Sequence, residues 1–302
     1  MERLPAARSG APAPFTPSDP HMADRTDSAL KKLRVGTGLR LRDVDPAARP
    51  FSSGDKAADL ARIDELALEV DRLQDLLYAN GQASGLPHGA HKLLLVLQGL
   101  DTSGKDGTAR AVFNRTSPLG VRVAAFKAPT ENEQAHDFLW RVHAVVPRAG
   151  EIAVFNRSHY EDVLVPVVEG WIDGAERKRR YAHINAFERL LCETGTSIVK
   201  CYLHISRGEQ RERLQARLDE PAKQWKFQPG DLEVRRKWKD YQAAYQDALA
   251  ATSTAWAPWH VVPADSKTHR NLVVAELVVA ALRGMKLKAP KPDYDPRTVE
   301  IP

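Results

Sequence analysis

A glycine-rich segment about one third of the way along the chain carries the residue types that bind phosphate. It runs from Gly99 to Thr108 and reads Gly-Leu-Asp-Thr-Ser-Gly-Lys-Asp-Gly-Thr. Gly99, Gly104 and Lys105 match the first seven positions of the pattern G-x-x-x-x-G-K-[ST]. Glycines let the backbone curl until its N–H groups point at phosphate oxygens, and the lysine bridges the outer phosphates. The segment predicts a phosphate-binding loop made of Gly99, Thr102, Ser103, Gly104, Lys105, Asp106, Gly107 and Thr108.

Two carboxylates distinguish this segment from the usual loop. Asp106 follows Lys105, where an ordinary nucleoside triphosphatase has a serine or threonine hydroxyl for Mg²⁺. Asp101 lies inside the loop itself. A carboxylate beside a phosphate is repelled unless a divalent cation lies between them. We therefore expect phosphates to bind together with Mg²⁺, or Mn²⁺ in its place, with Asp101 acting on the nucleotide phosphate or the metal and Lys105 on the transferring group.

A second group of polar residues follows the apolar run 152–155. Phosphate-loop proteins usually place a metal-binding Asp at the end of this strand. Here the residue is Asn156, a neutral amide, and Arg157 comes next. Spacing alone equally allows Asn156 to be an ordinary polar residue at a strand end, but Glu161 can supply the missing negative charge one helical turn later. The predicted catalytic residues are Asp101, Lys105, Asn156, Arg157 and Glu161, and the predicted metal ligands are Asp101 and Glu161.

The elements that must position these residues alternate along the chain. Short apolar runs bounded by turn residues predict strands at 93–97, 121–126, 152–155, 198–205 and 260–262. Periodic apolar positions predict helices at about 60–77, 105–115, 131–145, 178–193, 209–218, 232–251 and 271–282. Buried strands that alternate with helices are typical of a parallel sheet covered on both faces. The sequence thus predicts an α/β protein with a three-layer α/β/α domain around a five-stranded parallel sheet.

Composition sets the limits of the domain and excludes several classes of protein. Residues 1–30, rich in Pro, Ala, Ser and Asp, are predicted to form a flexible arm, residues 31–285 the folded domain, and residues 286–302 a tail. With 43 % hydrophobic residues in 302, wholesale disorder is excluded. No apolar stretch approaches the roughly 20 residues of a membrane helix. Two cysteines make neither a disulfide framework nor a zinc cluster, and the start of the chain has no secretory pattern, so a cytoplasmic protein is expected.

Several motifs in the same order resemble the polyphosphate kinase 2 family. The chain has G-x-D-x-x-G-K-[DG]-G at 99–107, F-K-x-P-[TS] at 126–130, H-D-[FY]-L-W-R at 136–141 and F-[DN]-R-S-x-Y at 155–160. Further family-like segments lie at 184–191, 225–227 and 254–259, so the resemblance covers about 55–285. It implies a P-loop kinase core like that of thymidylate kinase, with a helical lid at about 207–230. It also implies Mg²⁺-dependent, reversible phosphoryl transfer between inorganic polyphosphate and adenine or guanine nucleotides, by a homo-oligomer, either a dimer or a tetramer.

The resemblance also bears on the acceptor nucleotide. Family members with Asp at the strand end form one branch. Members with Asn at that place and Glu at the place of Glu161 resemble the class III branch, which is associated with phosphorylation of both AMP and ADP. Asn156 and Glu161 give this chain the second pattern. It implies that AMP, ADP or both accept the phosphoryl group.

Scattered cations complete the set of candidate binding residues. A polyphosphate chain carries about one negative charge per phosphate, so its path needs regularly placed Lys and Arg, as a nucleic-acid groove does. We expect residues 178–180 at the base of the lid and cations between 207 and 223 along it. Considered without the phosphate loop, a basic run of this kind is more often a solvated helix face or a nucleic-acid patch than a substrate-binding site. The candidates are Arg115, Lys127, Arg141, Lys178, Arg179, Arg180, Arg207, Arg211 and Lys223.

Two other functions explain part of this pattern. An ATP-dependent nucleoside-monophosphate kinase of the thymidylate-kinase-like type shares the loop and the lid, but the missing hydroxyl after Lys105 argues against it. A basic nucleic-acid-binding module fits the net charge of +5. However, the chain has neither zinc-ligand spacing nor an RNA-binding aromatic motif, and such a module leaves the phosphate loop unexplained. We expect neither a nucleic acid nor a membrane as a partner. Phosphorylation of nucleotides with polyphosphate as the only donor separates the three functions.

Overall fold

Five parallel strands form a single sheet in the computed structural model, which describes residues 30–36, 38–82 and 90–301. The strands are β1 (Lys92–Gln98), β2 (Val121–Ala125), β3 (Ile152–Asn156), β4 (Thr196–His204) and β5 (Trp259–Pro263). Their order is β2-β3-β1-β4-β5, so β1 is central and Leu97 lies opposite Asn156 on one side and Cys201 on the other. All five predicted strands are present. The predicted flexible arm, residues 1–30, lies outside the described residues except for Leu30.

Helices cover both faces of the sheet. They are α1 (Lys56–Gln82), α2 (Lys105–Val112), α3 (Glu131–Gln134), α4 (Trp140–His143), α5 (Glu161–Val168), α6 (Gly174–Glu193), α7 (Arg207–Asp219), α8 (Gly230–Arg236), α9 (Trp238–Thr252) and α10 (Lys267–Gly284). Short 3₁₀ helices lie at Leu41–Asp43, Pro221–Lys226 and Pro296–Thr298. No helix of the described ranges is long and apolar enough to cross a membrane. The tail from residue 286 to 301 is mostly exposed.

The sheet separates two apolar layers. Alternate residues of β1 point to opposite faces, and the five apolar ones are buried, with Leu93, Leu95 and Leu97 on one side and Leu94 and Val96 on the other. The first side packs against α1, α2 and α10, and the second against α5, α6 and α9. α1 and α10, which lie near opposite ends of the described chain, also pack against each other. Strands buried on both faces explain the continuous apolar runs of the sequence.

Two helix predictions were wrong in detail, and one helix was not predicted. The pattern at 131–145 is not one helix, because Thr130 caps α3 and the Oδ1 atom of Asp137 accepts the N–H of Leu139 in a turn before α4. The pattern at 232–251 is divided at Lys237, which ends α8 and precedes α9. Helix α5 was not predicted, since Pro166 lies inside it and interrupts the helical pattern.

A fully buried ion pair connects β4 to the second helical layer. Lys200 of β4 and Glu188 of α6 have no exposed side-chain surface, and the Nζ–Oε2 distance is 2.5 Å. The Nζ atom also donates to the hydroxyl of Tyr160 at 2.9 Å and to the carbonyl of Thr252 at 2.8 Å. Glu188 in turn accepts the Tyr160 hydroxyl at 2.8 Å and lies 3.2 Å from the ring nitrogen Nε2 of His159. This network fixes the segment that immediately precedes Glu161.

Candidate phosphate-binding site

The glycine-rich segment forms the predicted turn between β1 and α2. Gly99 and Gly104 have φ angles of 151° and 105°, in the region that favours glycine. A Cβ atom on Gly104 would lie 1.9 Å from Nη1 of Arg270, and one on Gly99 would lie 2.8 Å from the carbonyl oxygen of Leu203. Both glycines are therefore required by conformation and by space. Helix α2 begins at Lys105, so its N-terminus and the turn share one edge of the sheet.

Lys105 is buried at the start of α2, with 8 % of its surface exposed. Its Nζ atom donates to the carbonyl of Gly99 at 2.6 Å and to that of Leu100 at 3.4 Å. Burial, followed by the charge of Arg157, lowers the pKa of the lysine, while nearby carboxylates such as that of Asp101 oppose this shift. The ammonium group is held on the loop by the loop's own carbonyls.

The second group of predicted residues meets the loop at the ends of β1 and β3. Arg157 lies between two carboxylates, with its guanidinium 2.8 Å from Asp101 and 3.8 Å from Glu161. The side-chain amide of Asn156 donates to the carboxylate of Asp106. Arg157 has a φ of 61°, which is uncommon for a residue with a Cβ atom. The five predicted catalytic residues, Asp101, Lys105, Asn156, Arg157 and Glu161, thus lie at one edge of the sheet.

Burial and neighbouring charges shift the pKa values of Glu161 and Arg157 in opposite directions. Burial raises the pKa of Glu161, although Arg157 and Lys105 oppose the shift. Burial disfavours the charged form of Arg157, yet the charges of Glu161 and Asp101 raise its pKa. Cations and carboxylates in alternation are what a site for phosphate oxygens and a divalent cation requires.

The predicted lid cations occupy different surroundings. Arg207 and Arg211 are exposed on α7, and Lys223 lies in the following 3₁₀ helix, 2.5 Å from Glu220. Burial, together with the charges of Arg207 and Arg211, lowers the pKa of Arg235 on α8. Arg235 also donates to the carbonyl of Arg207 at 2.8 Å, so three cations lie near one another around the first turn of α7. Binding of an anion at this cluster would relieve the repulsion.

The other predicted cations lie away from α7. Lys178, Arg179 and Arg180 are on α6, where both arginines pair with Glu176 at 2.8 and 2.9 Å. Arg115 pairs with Asp64 of α1 at 3.0 Å, beyond the C-terminal end of α2. Arg141 is bonded to Asp162 at 2.9 Å, and another nitrogen of its guanidinium donates to the carbonyl of Lys127, whose own side chain is exposed. The structure does not bring these cations into contact with the loop.

Comparison with known proteins places this geometry in a family. The profile of polyphosphate kinase 2 matches residues 55–290, about three quarters of the chain. The chain belongs to the polyphosphate kinase 2 family. A crystal structure of polyphosphate kinase 2 from Arthrobacter aurescens TC1 is 48 % identical, with a TM-score of 0.84 over 88 % of this chain and 92 % of that one. The prediction of a P-loop kinase fold with a five-stranded parallel sheet is confirmed.

Curated relatives agree with this assignment. The AMP/ADP-polyphosphate phosphotransferase of Meiothermus ruber is 49 % identical over 266 residues, which is 87 % of this chain and 97 % of the relative. The ADP-polyphosphate phosphotransferase of Rhodopseudomonas palustris is 38 % identical over 282 residues, which is 86 % of this chain and 92 % of the relative. Both relatives are matched over nearly their whole length.

Sequence reasoning missed several residues that support the loop of this polyphosphate kinase 2 family member. Gln98, at the end of β1, donates to Ser158 at 3.0 Å and accepts the Tyr245 hydroxyl at 3.2 Å. A polar residue at the end of an apolar strand was the available signal, the same one that identified Asn156. Two buried arginines, Arg213 and Arg270, contact the loop carbonyls, and no local signal separates them from the other arginines of their helices.

Proposed function

We propose that this protein transfers phosphoryl groups from inorganic polyphosphate to AMP and to ADP. The observation that carries the proposal is the meeting of Lys105 and Arg157 with the carboxylates of Asp101 and Glu161 beside a phosphate loop. The name of the Meiothermus ruber relative, AMP/ADP-polyphosphate phosphotransferase, supports both acceptors. Other relatives are named for GDP, which makes guanine nucleotides further candidates.

Phosphoryl transfer asks the protein chiefly for positioning and charge neutralisation, and no covalent intermediate is needed. In this proposal Lys105 binds the transferring group and Arg157 stabilises the charge that spreads over its oxygens. Asp101 orients Arg157, with which it makes a 2.8 Å ion pair. The cations of α7 bind the remainder of the polyphosphate chain. The same groups serve the reverse reaction, since they act on the transferring phosphoryl group whichever substrate donates it.

We also propose that Mg²⁺, or Mn²⁺ in its place, binds with the substrates. Within the described part of the chain, no group of three or more His, Cys, Asp or Glu side chains can hold a metal ion alone. Mg²⁺ commonly binds through one or two carboxylates together with substrate phosphates, and Asp101 and Glu161 fit that donor set. When bound, the ion neutralises phosphate charge.

The alternative donor is ATP, as in a nucleoside-monophosphate kinase. Asp106 stands where such an enzyme has its metal-binding hydroxyl, and Asn156 donates to that carboxylate. Both features disfavour the alternative. The deciding experiment supplies long-chain polyphosphate as the only phosphoryl donor to AMP or ADP and separates the nucleotides by chromatography. Product only with ATP as donor would favour the alternative.

Family membership further supports a homo-oligomer, either a dimer or a tetramer, that acts in the cytoplasm. Light scattering during size-exclusion chromatography measures the mass of the assembly against the 33.6 kDa of one chain.

Glu161→Asn is expected to impair AMP phosphorylation more than ADP phosphorylation. An enzyme that phosphorylates both AMP and ADP must accept two distances between the base and the attacking phosphate oxygen. Asn156 lacks a charge at the strand end, and Glu161 supplies one close to Arg157, where it can orient the shorter acceptor. We expect kcat/KM to fall about tenfold for AMP and less than about threefold for ADP. Initial rates with polyphosphate as donor measure both.

Asp162→Asn is the matched control for Glu161→Asn. Asp162 is the next residue on α5, but its carboxylate binds Arg141 at 2.9 Å instead of Arg157. This variant should leave the ratio of AMP to ADP activity unchanged. A wild-type enzyme that accepts ADP alone, or an equal fall in both activities of Glu161→Asn, contradicts this role of Glu161.

Ionic strength is expected to raise the KM for polyphosphate more steeply than the KM for nucleotide. Polyphosphate interacts almost wholly through charge, whereas a nucleotide also makes uncharged contacts. Arg211→Gln, on exposed α7, should reduce the salt dependence. Arg115→Gln should not, because Arg115 pairs with Asp64 beyond the far end of α2. Equal slopes for the two substrates would show that the cations do not form a polyphosphate path.

A further inference from the structure

The backbone of the phosphate loop presents a hydrogen-bonding problem. A loop that turns its N–H groups toward phosphate turns its carbonyls the other way, into the protein, where each needs a donor. In this chain Lys105 donates to the carbonyls of Gly99 and Leu100, and Gln210 donates to that of Asp101 at 3.2 Å. The carbonyls of the next two loop residues accept from two buried arginines.

Arg213 is the first of these arginines and lies on α7. One nitrogen of its guanidinium donates to the carbonyl of Thr102 at 2.9 Å, and another to the carbonyls of Ala264 and Asp265 at 2.8 and 2.7 Å. Its Nε atom donates to Glu209 at 2.7 Å. This single side chain joins α7, the loop and the segment after β5.

Arg270 is the second and lies in the first turn of α10, with 3 % of its surface exposed. Its Nη1 atom donates to the carbonyl of Ser103 at 3.0 Å, while the other two nitrogens donate to the side chain of Asn271. Gly104 lies so close to this guanidinium that it has no room for a Cβ atom. Arg270 thus supports the loop at the residue that precedes Lys105.

The two guanidiniums bring more positive charge than the protein neutralises around them. Glu209 pairs with Arg213 at 2.7 Å, whereas the described hydrogen-bond partners of Arg270 are the neutral side chain of Asn271 and the carbonyl of Ser103. Burial, followed by the charge of Arg213, lowers the pKa of Arg270 to about 9, with Glu209 opposing. A buried cation without a counter-ion is costly, and a phosphate on the other side of the loop offsets that cost.

We propose that Arg213 and Arg270 are positioning residues that hold the loop carbonyls away from the substrate and supply buried positive charge that strengthens phosphate binding. The inference rests on the proposed function only in that the loop binds phosphate. It applies to polyphosphate and nucleotide alike, because both arginines contact the carbonyls of the loop that would bind the phosphates of either substrate. Two consequences follow: removal of the charge at Arg270 weakens anion binding, and removal of the charge at Glu209 strengthens it.

Calorimetric titration of the full chain with inorganic tripolyphosphate and, separately, with ADP tests both consequences. The buffer contains Mg²⁺ at one fixed concentration, so that the divalent cation contributes equally to every variant. Arg270→Gln should raise Kd at least about tenfold for both ligands, and Arg270→Lys, which keeps the charge but not the guanidinium fork, should raise Kd less than Arg270→Gln does. Arg283→Gln is the matched control, because Arg283 lies on the same helix in an exposed pair with Glu69 and should change Kd less than about twofold.

Glu209→Gln keeps a hydrogen-bond acceptor for Arg213 but removes the local negative charge. We expect it to lower the Kd for tripolyphosphate about threefold, a gain that a purely structural role does not produce. A folded Arg270→Gln with unchanged Kd, or a Glu209→Gln without a gain, overturns the proposal. If Arg270→Gln does not fold, Glu209→Gln decides. Failure of wild-type polyphosphate-dependent transfer would contradict the proposed function but leave these ratios of Kd intact.

Discussion

Lys105→Met is expected to lower kcat/KM for phosphoryl transfer by at least about 100-fold, equivalent to about 2.7 kcal/mol of transition-state stabilisation. Methionine keeps most of the length of the side chain and removes its charge. Lys105 is the cation at the junction of the loop with α2, and its Nζ atom lies on the carbonyls of Gly99 and Leu100. A charge that moves with the transferring group cannot be replaced by the arginines beneath the loop, whose guanidiniums are fixed on other carbonyls.

Lys92→Met is the matched control for Lys105→Met. Lys92 begins β1, the strand that leads into the loop, at the end of the strand opposite to the loop, and its Nζ atom donates to the carbonyl of Thr194 at 2.8 Å. It should retain full activity. Circular dichroism and thermal unfolding establish that both variants fold. A folded Lys105→Met with more than about a tenth of wild-type kcat/KM, a loss below about 1.4 kcal/mol, excludes the role given to Lys105.

Lys200→Met is expected to reduce the free energy of unfolding by about 3–5 kcal/mol. The substitution leaves the carboxylate of Glu188 buried without its cation, and the carbonyl of Thr252 loses a donor. Urea denaturation followed by fluorescence measures the change, provided that the dependence on urea keeps the wild-type slope.

The double variant Lys200→Met/Glu188→Leu should be more stable than Lys200→Met alone, because it removes the unpaired charge. Lys92→Met, on the neighbouring strand, should change the free energy of unfolding by less than about 1 kcal/mol, since its side chain is only half-buried and donates to a single carbonyl. If Lys200→Met proves as stable as Lys92→Met, the ion pair does not stabilise the fold.

Most of the fold could be predicted from the sequence because four of its five strands, all except β2, are largely buried on both faces. Such strands leave short apolar runs, and turn residues and helical periodicity separate them. The prediction was wrong where a local feature interrupts a pattern. Pro166 interrupts the helical pattern of α5, so this helix was not predicted. Lys237 divides a stretch whose apolar positions predict one continuous helix.

Part of the candidate site could likewise be predicted from the sequence, and part could not. Gly99, Gly104 and Lys105 lie close together in the chain, and their spacing specifies a strand, a turn and a helix. The supporting arginines are long-range neighbours. Arg213 contacts a carbonyl 111 residues earlier in the chain, and Arg270 one that is 167 residues earlier. Among 44 Lys and Arg residues, sequence alone does not tell which are buried beneath a loop.

The same long-range contacts have a consequence for the order in which the protein acquires activity during synthesis. A nascent chain that has emerged as far as β3 already contains the three adjacent strands β2, β3 and β1, and with them the whole phosphate loop. Arg213 and Arg270 emerge later, and α10, which carries Arg270 and packs against α1, comes last among the long helices. Unfinished chains on the ribosome therefore hold the loop sequence without its support. We expect the loop to gain its full affinity for phosphate only after α10 has emerged and Arg270 can reach the carbonyl of Ser103.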